Sequence, residues 1–433
     1  MPATMELHER TATDLHDLVA GGAVAVQDVV DALVARIDAL EHHLRAWTAV
    51  ERGCADRGGA GPLHGVPVGI KDNIDTADLP TTYGSRQYAG HRPGEDAHAV
   101  ALLRDAGGLV LGKTELPEFA AVQEPPPPTR NPHDPTRTPG GSSSGSAAAV
   151  AAGMVPVALG TQTTGSVVRP ASFCGIFGFK PTFGSIATAG VRRITTSLDT
   201  VGVLARSVAD VELLTGILAG TAPVAAPAAP RIGLLRTALW DAADPCTRDA
   251  MDAVAARIAD AGADVEELEL DPGAGALGEA APCIQHVEMA SLLADEPYDA
   301  LADALRGMLD AGRATSPAAY AEAQDLVARW RPRVDERLRR HEAVLTPSVL
   351  GEAPGAETTG DPLFCRTWTL LGTPAMSMPL HRSPAGLPVG LQLVAPRGAD
   401  AALLATARWV AERLLDDGRV AVVEPAAAQR DPG

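Results

Sequence analysis

Aromatic residues are scarce in this chain: Phe, Trp and Tyr make up 3% of its residues, although 46% are hydrophobic. A core of that composition must be built from Ala, Val and Leu, which suits layers of helix on sheet. Cysteine is also sparse. The five present (Cys54, Cys174, Cys246, Cys283 and Cys365) are scattered, odd in number and free of any Cys-x-x-Cys pair. That excludes a disulfide frame and a thiolate zinc site, and fits reduced thiols. Of the histidines only His42 and His43 adjoin, and nothing has metal-ligand spacing. Positive charge is outweighed, for a formal net charge of −18, which argues against nucleic acid and anionic membranes as partners. No run of 18 apolar residues exists and the N-terminus lacks an apolar signal core, so a soluble, cytoplasmic protein is expected.

What the chain does have is a long small-residue stretch between Thr138 and Pro181. Two glycines and three serines (Gly140 to Ser144) lead into a helix over residues 146–152 and a buried strand over 155–159. A second Gly/Ser/Thr loop, 160–166, runs into Val167-Val168-Arg169-Pro170. Glycine-lined loops let backbone N–H groups approach a ligand, and such cradles bind phosphate or a developing oxyanion. Neither loop ends in Gly-Lys-Ser/Thr or contains Gly-x-Gly-x-x-Gly, so phosphate binding has no support. Acyl transfer by a serine remains, but without a Gly-x-Ser-x-Gly elbow. Its base need not be histidine.

These residues resemble the amidase signature family, serine hydrolases that cleave carboxamides with a Ser-Ser-Lys triad. The likeness is carried by Gly140-Gly141-Ser142-Ser143, by the loop holding Ser166, and by Phe173-Cys174-Gly175 through Gly178-Phe179-Lys180-Pro181-Thr182. Upstream, Gly65 through Asp72 (GVPVGIKD) resembles the segment bearing the family's lysine. The resemblance implies Ser166 as nucleophile, Ser142 as a bridging serine held through a cis peptide, and Lys71 as base. It places the oxyanion hole at the N–H groups of Thr163, Thr164, Gly165 and Ser166. It also implies one α/β/α domain around a large mixed, twisted sheet, with no cofactor and no metal.

The pattern departs from the family's at Ser144, Gln162, Thr164 and Val168, where Gly, Asp, Gly and Arg are common. Gly-Thr-Gln-Thr-x-Gly-Ser-Val-x-Arg-Pro looks like the malonamidase-type branch, in which the shifted arginine, here Arg169, meets a substrate carboxylate. Arg169 has no charged neighbour in its own loop, leaving a substrate carboxylate or Asp199 as its partner. Ser143 and Gln162 are further candidates for substrate contact.

Elsewhere the chain reads as alternating helix and strand. Helices are expected over 11–20 and 25–44, the second with an apolar stripe from Val26 to Leu40. A strand over 66–70 leaves Lys71 just past its end; a helix over 96–106 and a strand over 109–111 follow. A stiff polyproline connector occupies 124–128. A strand opens at Leu198, and Ser207 caps a helix running to about Ala219. Residues 220–230 (GTAPVAAPAAP) read as a linker. Strand 231–235, helix 247–261 and strand 264–270 form a parallel crossover. Residues 285–341 are mostly helical. Strands 343–346, 375–379 and 389–394 and helix 399–414 complete the reading, and the tail from Glu424 is expected to be disordered. The domain therefore spans 1–424, with core 60–220 and 343–415 and a variable part at 231–345. Pocket walls are expected from 81–88, 119–133, 188–197 and 283–320, with no docking motif in 346–372.

Three functions fit. The leading one is hydrolysis of a small carboxamide to carboxylate and ammonia through an acyl-enzyme, with an acidic monoamide as the suggested substrate and a homodimer allowed. The second is the glutaminase (A-type) component of a tRNA-dependent amidotransferase. The third is an inactive binding homologue, whose expected mark, loss of Lys71, Ser142 or Ser166, is absent.

Overall fold

Among the described residues eleven short strands build one sheet, and the parity of their apolar residues decides which helices cover each face. In chain order they are β1 (Trp47–Val50), β2 (Pro67–Lys71), β3 (Leu109–Thr114), β4 (Val157–Gln162), β5 (Phe177–Lys180), β6 (Thr200–Ala205), β7 (Arg231–Leu234), β8 (Asp264–Glu267), β9 (Ala343–Pro347), β10 (Ala375–Met378) and β11 (Leu391–Val394). Their spatial order is β1-β3-β2-β4-β6-β5-β10-β11-β9-β7-β8. Two parallel wings, β3-β2-β4 and β9-β7-β8, flank an antiparallel centre from β4 to β9. The sheet is therefore mixed, as the resemblance implies. This computed structural model describes residues 5–121 and 126–425.

The twelve helices among the described residues are α1 (Ala12–Ala20), α2 (Val26–Leu44), α3 (His98–Asp105), α4 (Ser144–Ala151), α5 (Val168–Cys174), α6 (Val208–Ala219), α7 (Pro245–Asp260), α8 (Leu277–Leu292), α9 (Asp303–Ala314), α10 (Pro317–Leu338), α11 (Leu363–Leu371) and α12 (Asp400–Leu414). On one face Val157, Leu159, Val201 and Val203 pack with residues of α3, α6, α7 and α12. On the other, Ala158 and Leu204 meet α2, α4 and α5. Strand residues alternate faces, so each strand feeds both cores. The stripe of α2 is buried from Val29 to Leu44, and Ser207 caps α6 by accepting from the Asp210 N–H.

Four elements were illegible to periodicity: β1, β5, α5 and α11. β5 contains Gly178, which weakens a strand pattern, yet a Cβ there would lie 2.4 Å from the Ala171 Cβ. The glycine is what lets α5 lie against the strand. The strand expected over 155–159 starts later, at Val157. Gly153 turns at φ +69° and Pro156 has no N–H for the ladder. Residues 220–230 carry no helix or strand and are tied to α12 by Arg408 to the Val224 carbonyl and Trp409 to the Ala228 carbonyl.

Glu124 and Pro125 of the proline run, and residues 426–433 of the expected disordered tail, lie outside the described residues. Glu424, placed in that tail by the sequence, is instead ion-paired with Arg36 at 2.9 Å. The segments expected to wall the pocket converge: Tyr83, Phe119, Ile194, Met289, Leu301 and Leu305 form one buried cluster.

Candidate active site

Lys71 is the last residue of β2 and is fully buried. Its Nζ lies 2.7 Å from Ser142 Oγ, 2.8 Å from Thr161 Oγ1 and 3.2 Å from the Thr161 carbonyl. Asn73 donates to the same Thr161 hydroxyl. No carboxylate hydrogen-bonds the amine among the described residues. Asp72, next in the chain, turns away and pairs with Lys113 of β3 at 3.3 Å, both side chains fully buried. Burial pushes Lys71 well below the usual lysine range; the negative charge of Asp199 opposes the shift and the positive charge of Arg169 assists it. A neutral amine can accept a proton through the Ser142 hydroxyl, which is what a serine nucleophile without histidine requires.

Ser142 is held from several sides. The Gly141–Ser142 peptide is cis. Gly140 has φ +83°, and a Cβ there would fall 2.7 Å from the Pro170 Cα, so no larger residue fits. Ser144 Oγ donates to the Gly140 carbonyl at 2.8 Å, and Ser143 N donates to the Ser166 carbonyl at 3.3 Å, stitching the two loops together. Ser143, expected to meet substrate, has a fully buried hydroxyl that exchanges hydrogen bonds with the Thr161 backbone.

The second loop leaves β4 at Gln162 and enters α5 at Val168. Ser166 lies on it, largely buried, and its Oγ makes no hydrogen bond among the described residues. The N–H groups of Val167 and Val168 are taken by Gln162 Oε1 at 2.8 and 3.0 Å. Gln162 Nε2 donates to Thr369 Oγ1, which itself donates to the Thr164 carbonyl. Gln162, expected to contact substrate, shapes the loop from below, with both ends of its amide hydrogen-bonded there. Among the described residues the N–H groups of Thr163, Thr164, Gly165 and Ser166 have no acceptor. Unpartnered donors beside a serine can receive the charge of a tetrahedral intermediate.

Arg169 does not meet Asp199, one of the two partners expected of it. Its Nε and Nη2 donate to the Gly141 carbonyl at 3.2 and 2.6 Å, and its Nη1 donates to the Gly360 carbonyl. Asp199 meets threonines and backbone N–H groups instead. The guanidinium finds one of its neutralising dipoles in a segment 191 residues away, which loop composition could not reveal.

Thr161, Asn73, Thr359, Pro362, Cys365 and Thr369 were missed by sequence reasoning, and Asp199 was named only as a partner for Arg169. Thr359 Cγ2 would sit 2.9 Å from a Cβ on Gly141, and Pro362 Cβ 2.9 Å from one on Gly165. The 346–372 region, read as carrying no motif, packs directly on both loops. No group of three or more His, Cys, Asp or Glu able to hold a metal occurs among the described residues, and none of their helices is long and apolar enough to cross a membrane.

The family described as Amidase matches residues 23–404. The chain belongs to the amidase family. As an amidase-family enzyme it acts on carbon–nitrogen amide bonds. It is 34% identical over 454 residues to the A-type component of the glutamyl-tRNA(Gln) amidotransferase of Thermus thermophilus, covering 92% of this chain and 95% of that protein. Among solved structures, native peptide amidase from Stenotrophomonas maltophilia superposes with TM-score 0.83 at 29% identity, covering 96% of this chain and 99% of that one. The A-type component of the glutamyl-tRNA(Gln) amidotransferase of Thermotoga maritima superposes with TM-score 0.86 at 27% identity, covering 98% and 99%.

Proposed function

We propose that this amidase hydrolyses a carboxamide to carboxylate and ammonia through an acyl-enzyme on Ser166. The observation that carries the reading is the fully buried Lys71 amine bonded to Ser142 Oγ, beside a serine whose loop offers unpartnered N–H groups. In this mechanism Ser166 Oγ attacks the amide carbon and its proton passes to Ser142, whose own proton passes to Lys71. The carbonyl oxygen takes the negative charge beside the N–H groups of residues 163–166, where one donor is worth about 10²–10³ in rate. Return of the proton through Ser142 to nitrogen releases ammonia, and water then repeats the path on the ester.

A preference for acidic monoamides rests on Arg169, whose three nitrogens each already donate to a main-chain carbonyl. A substrate carboxylate would have to compete with those carbonyls for the guanidinium, so we propose a neutral amide. The test is ammonia release by the purified chain from aliphatic, aromatic and dicarboxylic monoamides. Release from none of them, with Ser166 also inert to a fluorophosphonate, would sink the reading.

The likeness to the amidotransferase components supports a second reading, in which glutamine is the amide and partner proteins receive the ammonia. Tagged chain isolated from its own cells separates the two. A stable partner complex together with glutamine-dependent ammonia release favours the amidotransferase; a lone chain active on simple amides favours the amidase.

A further inference from the structure

The antiparallel register of β4 and β6 sets Gln162 opposite Thr200. One residue past that last pair, Thr163 reaches Asp199 through its side chain. Thr163 is the first residue of the loop that carries Ser166, and its Oγ1 donates to Asp199 Oδ1 at 2.6 Å. The same carboxylate accepts from Thr195 Oγ1 at 2.7 Å, Ile194 N at 2.7 Å and Thr195 N at 3.2 Å. All four donors are neutral, and no cation pairs with Asp199 among the described residues. A nearly buried carboxylate answered only by neutral groups is costly to fold around, which calls for a reason at this position.

The loop that Asp199 ties down is independently anchored. Glu288 of α8 accepts from Thr196 N at 2.7 Å, Ser197 N at 2.9 Å and Ser197 Oγ at 2.6 Å. Residues 194–199 therefore form a fixed bracket between the helices and the sheet, and among the described residues the one hydrogen bond that leaves this bracket for the serine loop is Thr163 to Asp199. We propose that Asp199 is a positioning residue that holds Thr163, and through it the unpartnered N–H groups of residues 163–166, in register with Ser166. This rests on the reading of Ser166 as nucleophile. The carboxylate has a second effect that a neutral bracket would lack. Lys71 faces two charged groups, Asp199 beyond β4 and Arg169 of α5, and Asp199 is the one that favours its protonated form.

Two variants separate these roles. Thr163→Val removes the hydroxyl while keeping shape and charge. Asp199→Asn removes the charge; its amide oxygen can keep the Ile194 and Thr195 N–H groups, and its Nδ2 faces the Thr163 and Thr195 hydroxyls, which can turn to accept. The readout is the rate at which a fluorophosphonate labels Ser166, forming the Oγ–P bond with loss of fluoride; this needs no knowledge of the natural amide. Thr163→Val should label about tenfold more slowly than the parent, with an unmoved pH profile, because the phosphoryl oxygen meets displaced donors. Asp199→Asn should keep Thr163 tied by a weaker, neutral bond, and its acid limb should move to lower pH, because Lys71 loses the charge that favours its ammonium form. Ammonia release should follow labelling in both. A Thr163→Val protein that labels within twofold of the parent overturns the proposal, even where Asp199→Asn fails to fold. A parent that labels at Ser166 yet hydrolyses no amide overturns the functional reading and leaves this one standing.

Discussion

Replacing Lys71 by methionine removes the amine and leaves a side chain of similar length in a fully buried site. The loss of the base should lower kcat/KM by about 10²–10⁴, but activity alone does not show that the lysine is neutral. Stability does. In the unfolded chain a lysine titrates near about 10.4; in the fold, burial holds Lys71 well below that. Between the two values the unfolded chain binds a proton that the folded protein does not. Lys71 therefore costs the fold most at low pH, and the cost is relieved as pH rises towards the unfolded value. The parent's unfolding free energy should gain about 1.4 kcal/mol per pH unit from this residue across the window, and methionine has no such term. Lys180, pushed down to about 7, and Lys113, also lowered, add slopes of the same sign. Both remain in the variant and cancel in the difference. The lost bonds to Ser142 and Thr161 add a pH-independent offset, so the slope is the discriminating quantity. Urea unfolding of both proteins at intervals between about pH 7.5 and 9.5 measures it. Parallel curves would mean that folded Lys71 carries a full charge throughout, and a charged lysine cannot be the base.

The other expectations concern the groups around it. Ser166→Ala should abolish hydroxamate formation when hydroxylamine is added during turnover, whereas Ser142→Ala should retain a slow acyl-enzyme; fluorophosphonate label on Ser142 or Ser144 would reverse that order. Arg169→Ala should lower kcat/KM roughly 10–100-fold, since charge-assisted bonds are worth about 1.5–3 kcal/mol each. The loss should be equal on a dicarboxylic monoamide and a neutral amide of the same length, because the guanidinium meets Gly141 and Gly360; a loss confined to the acidic substrate would restore it as a substrate contact. Lys113→Ala should destabilise the fold by about 3–5 kcal/mol by leaving the Asp72 carboxylate buried without its cation, read by urea unfolding, and an unchanged midpoint would contradict the pairing.

Where neighbouring residues settle a feature, the sequence was readable. The α2 stripe, the Ser207 cap and the turn of the Gly140-Gly141 loop all depend on residues within a few positions. The Lys71–Ser142 contact came from resemblance to a family, since residues 71 apart carry no local signal. What stayed hidden depends on distant chain. Arg169 was given a carboxylate because none of its neighbours is charged, yet two backbone carbonyls satisfy it, and carbonyls are invisible in a list of side chains. Thr369 and Asp199 shape the serine loop from elements that periodicity did not single out for function. Ser143 and Gln162 show the converse: a polar residue beside a nucleophile is often committed to holding the loop.

The order of strands has a consequence for how the chain is made. β5, separated by β6 alone from the strand that leads into the Ser166 loop, pairs on its far side with β10, as Lys180 meets Ala375. On a ribosome adding about 5–20 residues per second, the roughly 195 residues between them take on the order of 10–40 s to emerge. During that interval the nascent chain already contains Lys71, Ser142 and Ser166, while the β5 edge, with Phe177 and Phe179, has no neighbour. An uncovered strand edge is a template for pairing with another chain. Truncation products ending before β10 should therefore collect in inclusion bodies or on chaperones, carrying Lys71, Ser142 and Ser166 and no lasting activity.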